Sequence, residues 1–129
     1  MSALATIRQI DYTVIFARDL ARMRRFYEDV MRFPIHQELG AAWIAYRVGS
    51  NILALTERGL MFSDAPTPVS ALSLQLAFRV SPGDVDRCAA ELTVAGVGLI
   101  APPTDQPWGH RTVFFRDPDG NVLEIYADI

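Results

Sequence analysis

Residues Tyr46-Arg47-Val48-Gly49-Ser50-Asn51-Ile52-Leu53-Ala54-Leu55 recur in altered form as Phe115-Arg116-Asp117-Pro118-Asp119-Gly120-Asn121-Val122-Leu123-Glu124-Ile125. Each copy is an apolar run ending in Arg, a tight turn ending in Asn, and a second apolar run. The second turn is longer by one residue. A repeat of this kind implies two copies of one supersecondary unit, and paired copies make a concave surface where a ligand can sit. The copies diverge at one chemically important place, where Ala54 stands opposite Glu124.

The flanking sequence extends the repeat. Residues 10–16 are rich in β-branched and aromatic side chains and predict a strand. Asp19 is a candidate N-cap, and Leu20, Met23, Tyr27, Val30 and Met31 predict an amphipathic helix over 20–31, closed by Pro34. Residues 35–39, 42–48 and 52–56 predict three short strands. The second unit repeats the order: a strand over 74–80 and a helix capped by Asp84. Val85, Cys88, Ala89 and Leu92 form one face of that helix, and Gly96 ends it. A strand over 98–101, a loop over 102–108 and a hairpin over 111–126 through Asp117-Pro118-Asp119-Gly120 complete it. The expected class is α+β: two tandem βαβββ units forming a curled mixed or antiparallel sheet that encloses a cavity. Module 1 spans about 8–57 and module 2 about 72–127. A linker over 58–71 is marked by Gly59, Ser63, Asp64, Pro66, Thr67, Pro68 and Ser70. Leu60, Met61 and Phe62 interrupt this linker and need a surface to bury against.

Composition narrows the function. At 129 residues, half of them apolar, the chain supports one compact domain. A net charge of −3 with mixed signs argues against nucleic acid or an anionic membrane as partner. Arg22, Arg24, Arg25 and Arg32 lie near Glu28 and Asp29 and read as a solvated helix face. No apolar run is long enough to span a bilayer, and no basic segment followed by an apolar stretch marks a signal peptide. The single cysteine, Cys88, excludes an internal disulfide and fits a cytoplasmic location. It sits on an apolar helix face and reads as structural.

The 115–125 motif within two βαβββ units resembles the vicinal oxygen chelate superfamily, the group of glyoxalase I, bleomycin resistance protein and extradiol dioxygenases. Ile10-Asp11-Tyr12, Arg18-Asp19-Leu20 and Arg25-Phe26-Tyr27-Glu28-Asp29-Val30-Met31 are similar to its opening strand and helix. The resemblance covers about residues 8–127, and Trp108-Gly109-His110-Arg111 is similar to the bleomycin resistance-like branch. It implies that each unit curls into a cup, that the paired cups enclose the site, and that the protein is a homodimer.

The resemblance also places metal ligands of the superfamily at Tyr12, Ala54, Gln75 and Glu124. Their chemistry is poor for a divalent ion. Glu124 is a good oxygen donor and Gln75 a weak neutral one. Tyr12 must lose a proton with a pKa of about 10 to ligate, and Ala54 has no donor. A stable site needs about three or four good ligands, so no metal cofactor is expected. Neither histidine, His36 nor His110, stands at a ligand position.

Candidate catalytic residues are therefore Glu124, as a general base whose pKa burial would raise, and His110. Candidate ligand-binding residues are Tyr12, Gln75, Trp108 and Arg111. Each has a plainer reading: Glu124 as a hydrogen-bond acceptor or an ordinary strand residue, Trp108 as a plug over the core, His110 as exposed and idle, Arg111 in a cross-strand ion pair. Trp43, Tyr46, Phe114 and Phe115 read as wall or core, and Arg116 and Asp117 as support for the turn. The expected function is a metal-independent, glyoxalase/bleomycin resistance-like protein that binds a small, partly aromatic or carbonyl-bearing ligand. The alternative is a lyase or isomerase using Glu124 as base, with or without a divalent metal, and with Tyr12, Gln75 or His110 stabilising the oxyanion.

Overall fold

A computed structural model describes residues 2–69 and 71–129; Ser70 of the expected linker lies outside the described residues. The chain divides into two compact units, Met1–Ser63 and Asp64–Ile129.

After a short 3-10 turn at Ala3–Thr6, the first unit runs β1 (Tyr12–Ala17), α1 (Leu20–Arg25), β2 (Ile35–Glu38), β3 (Trp43–Val48) and β4 (Asn51–Glu57). The sheet order is β1-β4-β3-β2, with β1 parallel to β4 and the other neighbours antiparallel. The second unit runs β5 (Gln75–Arg79), α2 (Asp84–Val94), β6 (Leu99–Asp105), β7 (His110–Arg116) and β8 (Val122–Asp128). Its order is β5-β8-β7-β6, with the same directions. This is βαβββ twice, in the α+β class.

The one-residue insertion read from the sequence sets the strand register. Arg47 pairs with Ile52 across the first hairpin, and Arg116 with Val122 across the second. The longer turn is organised by Asp117. One carboxylate oxygen accepts the backbone N–H groups of Asp119 and Asn121, both at 3.0 Å. The other accepts the Asn121 side-chain amide at 2.9 Å. Gly120, at φ 87°, supplies the left-handed step that closes the loop.

Period-two alternation divides each sheet into two faces. In the first unit Ile15, Ala17, Ile44, Tyr46, Leu53 and Leu55 share a face and are buried, as are Leu20 and Met23 of α1. In the second, Val85, Ala89 and Leu92 of α2, which packs on β6, β7 and β8, are buried together with Val113, Phe115, Leu123, Ile125 and Ala127.

Three local expectations are corrected. The helix expected over 20–31 is α-helical only to Arg25 and continues as one π turn, Phe26–Val30, closed by Met31 N–H to Phe26 O at 3.0 Å. Phe26 and Tyr27 are both buried there, and Tyr27 stacks on Tyr46 and Phe33. Arg32, at φ 61°, turns the chain ahead of Pro34. A left-handed residue with a Cβ costs about 1–2 kcal/mol and is worst when β-branched. Arg32→Gly is therefore expected to unfold at or above the parent temperature, and Arg32→Val to lose about 1 kcal/mol, as thermal melts would show.

The residues expected as a loop over 102–108 instead extend β6 through Pro102 and Pro103 to Asp105. As the edge strand, β6 tolerates residues without an N–H, and its pairing shifts register between Ala101 and Thr104. Asp84 is the first helical residue of α2 and Gly83 its cap. Its carboxylate pairs with Arg87 at 2.8 Å.

Candidate functional site

The face of the first sheet opposite its core carries Tyr12, Val14 and Phe16 from β1. The register adds Ala54 and Thr56 from β4 and Trp43 from β3. These strands and the segment after β4 line a cleft of about 250 Å³. Tyr12 meets Trp43 edge to face at 6.3 Å, and Phe16 meets Phe62 likewise at 6.0 Å. Leu60, Met61 and Phe62 line the same cleft but stay 57–85% exposed, so the expectation that they need burial is corrected: they form a wall open to solvent. Thr56 Oγ1 donates to Ala42 O at 2.9 Å, which leaves its lone pairs as acceptors.

In the second unit the corresponding face carries Gln75, Ala77 and Arg79 beside Val122, Glu124 and Tyr126, with Thr112 and Phe114 beyond. Glu124 is only 9% exposed, and Gln75 Nε2 donates to its Oε1 at 3.2 Å. Its other oxygen takes no hydrogen bond from the described residues. The two units repeat this geometry. Gln75 lies one rung from Glu124, as Tyr12 does from Ala54, because Ala77 pairs with Glu124 and Val14 with Ala54.

His110 shares this face but belongs to another cluster. Its register partner is Asp128, four residues beyond Glu124, which corresponds to ~13 Å of strand. Both ring nitrogens are engaged. Trp108 Nε1, which can only donate, bonds to Nδ1 at 3.2 Å, and Nε2 faces Asp128 Oδ1 at 3.2 Å. The neutral ring is thus held in the Nε2–H form, without a free nitrogen to take a substrate proton. Its ring packs on Tyr126 at 4.5 Å, and Arg79 lies 5.1 Å from the Tyr126 ring centre while pairing with Asp128. The Asp128 bond holds Arg79 above its ordinary pKa.

Arg111 is on the opposite face. Its guanidinium bonds to Asp105 at 2.8 Å and to Asp86 of α2 at 2.9 Å, and these bonds, Asp105 first, raise its pKa. The structure therefore joins Gln75 to Glu124 and Trp108 to His110, and places Arg111 in an ion-pair cluster. Phe16, Phe62, Arg79, Tyr126 and Asp128 were not among the sequence candidates. The i, i+2 spacing of Tyr12, Val14 and Phe16 was the signal for the first of them.

The residues at the four superfamily ligand positions do not fit a divalent ion. Glu124 brings the only charge and Gln75 is turned to it. Tyr12 has its ring against Trp43, and Ala54 ends in a methyl group. Among the described residues, no group of three or more His, Cys, Asp or Glu is placed to share a metal.

Comparison with known proteins agrees with this architecture. The Virulence protein STM3117 of Salmonella typhimurium is 28% identical over 127 residues, covering 92% of this chain and 83% of that protein. The uncharacterized protein YwkD of Bacillus subtilis is 31% identical over 132 residues, covering 93% and 97%. A crystal structure of a glyoxalase/bleomycin resistance protein/dioxygenase from Nocardioides superposes with a TM-score of 0.80 at 22% identity, covering 98% of this chain and 89% of the other, a likeness of fold. The family model described as Glyoxalase/Bleomycin resistance protein/Dioxygenase superfamily matches residues 9–125. The chain belongs to the glyoxalase/bleomycin resistance protein/dioxygenase superfamily.

Proposed function

We propose that this protein is a metal-independent binder of a small, partly aromatic or carbonyl-bearing molecule. The observation that carries this reading is the first unit's cleft, walled by Tyr12, Phe16, Trp43 and Phe62. Rings set edge to face leave open faces for a flat ligand, and such contacts contribute about 0.5–1.5 kcal/mol beyond burial. The poor donor chemistry of Tyr12, Ala54 and Gln75 supports metal independence. Cys88, the lone cysteine, supports a reducing, cytoplasmic setting. Exposed Leu4, Ile7, Ile10 and Leu72 offer apolar surface to a second copy, in keeping with a homodimer.

Two measurements test this. Elemental mass spectrometry of the purified untagged protein, before and after dialysis against Ni²⁺, Zn²⁺, Mn²⁺ and Fe²⁺, is expected to find no stoichiometric metal. Metal near one per chain, lost in Glu124→Ala, would overturn metal independence. A thermal-shift screen of small aromatic and carbonyl compounds is expected to give stabilisation that Trp43→Leu abolishes.

A second reading, a lyase or isomerase, is favoured by Glu124, a buried carboxylate with one oxygen held by Gln75 and the other open. Removing a proton next to a carbonyl needs such a base within hydrogen-bond reach. On this reading Glu124→Gln abolishes turnover and leaves ligand-induced stabilisation intact, whereas a pure binder shows no turnover to lose.

A further inference from the structure

The cleft is walled mainly by aromatic and aliphatic side chains. Glu57 borders it at the end of β4, but the register pairs Glu57 with Ala17 of the core face, so its carboxylate is not directed at the rings. Thr56 presents oxygen lone pairs, and the Tyr12 hydroxyl can accept as well as donate. None of the chain's 12 basic residues, all arginine, lines the cleft. An anionic ligand would meet ring faces and carbonyl-like acceptors with no cation to balance it. A cation would meet the negative faces of up to four rings.

We infer that the cleft selects organic cations: a quaternary or fully substituted ammonium carried on a small apolar or aromatic body. The inference rests on the reading of this cleft as a small-molecule site and adds the charge of the ligand. The volume of about 250 Å³ suits a compact ligand, being near the lower end of the ~300–1,000 Å³ typical of ligand pockets. Tyr12 is 53% exposed, so the site is open to water. The rings therefore carry the selectivity.

The test compares three ligands of similar size: benzyltrimethylammonium, its neutral carbon isostere neopentylbenzene, and anionic benzylsulfonate. Binding is read from the Trp43 indole N–H resonance, assigned by its loss in Trp43→Phe, and from calorimetry. The cation is expected to shift that resonance and bind at least about tenfold more tightly than the isostere; the sulfonate is expected to leave it unmoved. Tyr12→Leu, at a half-exposed position, and Trp43→Leu should each weaken the cation about fivefold or more. Glu57→Gln, with its side chain on the other face of the sheet, should leave the affinity within about twofold. Equal binding of the isostere overturns charge selection and leaves the small-molecule reading standing. Cation binding that Tyr12→Leu and Trp43→Leu both leave unchanged places it elsewhere and overturns the assignment. No response to any of the three, together with no response in the wider thermal-shift screen, removes both readings.

Discussion

Asp117→Ala is expected to cost about 3 kcal/mol of stability, the largest effect of any single polar truncation in the second unit. The carboxylate is 4% exposed and accepts two backbone N–H groups and the Asn121 amide. Each is a charge-assisted bond of about 1.5–3 kcal/mol, and removing the acceptor leaves donors unpaired. The turn it braces also sets the β7–β8 register, which pairs Phe114 with Glu124. Asp117→Asn keeps one acceptor oxygen and should lose roughly half as much. Urea denaturation of the three proteins checks this. A loss below about 1 kcal/mol for Asp117→Ala would mean that Gly120 and the flanking strands close the turn unaided.

The repeat was legible because its two copies differ by one turn residue, and a hairpin converts that count directly into register. Arg47↔Ile52 and Arg116↔Val122 follow from it. Tyr12, Ala54, Gln75 and Glu124, placed by resemblance to the superfamily's motif, fall on equivalent rungs of the two units. What the sequence hid were features fixed by tertiary packing. Local propensity does not distinguish the π turn at Phe26–Val30 from an α-helix; the ring stack of Tyr27 with Tyr46 and Phe33 distinguishes them. Pro102 and Pro103 argued for a loop because their place at a sheet edge depends on strand order, which no local pattern contains. Of the candidate site, Glu124 and Gln75 could be placed from motif and alternation. The engagement of both His110 nitrogens needed the positions of Trp108 and Asp128 together. The cleft wall at Leu60, Met61 and Phe62 showed in sequence only as an apolar island in a polar stretch.

The first unit should have a stability optimum bounded on both sides by one hydrogen-bonded cluster. Tyr46 O–H donates to Glu28 Oε2 at 2.7 Å, Arg24 bonds the same oxygen at 2.7 Å, and Arg24 reaches Glu38 at 2.7 Å. Arg24, expected on a solvated face, is instead drawn into this network. Burial pushes the Glu28 carboxyl up, but the bonds from Arg24 and Tyr46 outweigh it and leave its pKa below the ordinary 4.5. Its contribution is then present above the unfolded value and is lost as pH falls through the folded one. Tyr46 moves the other way: burial, then the bond to Glu28, raises its pKa well above the ordinary 10.0. Its contribution is full below about 10 and is lost as pH rises through the folded value. At neutral pH, Glu28→Gln is expected to cost about 2 kcal/mol and Tyr46→Phe about 1–2. The gap between wild type and Glu28→Gln should narrow chiefly on the acid side, below pH ~4.5, and that between wild type and Tyr46→Phe chiefly on the alkaline side, above pH ~10; because the two groups share one hydrogen bond, each gap also narrows by a smaller amount at the other limb. Urea unfolding followed by circular dichroism from pH 3 to 11 checks both limbs. A gap for Glu28→Gln that stays constant down to pH 3 would mean that the carboxylate contributes packing rather than charge, since an ion pair cannot survive protonation of its acid.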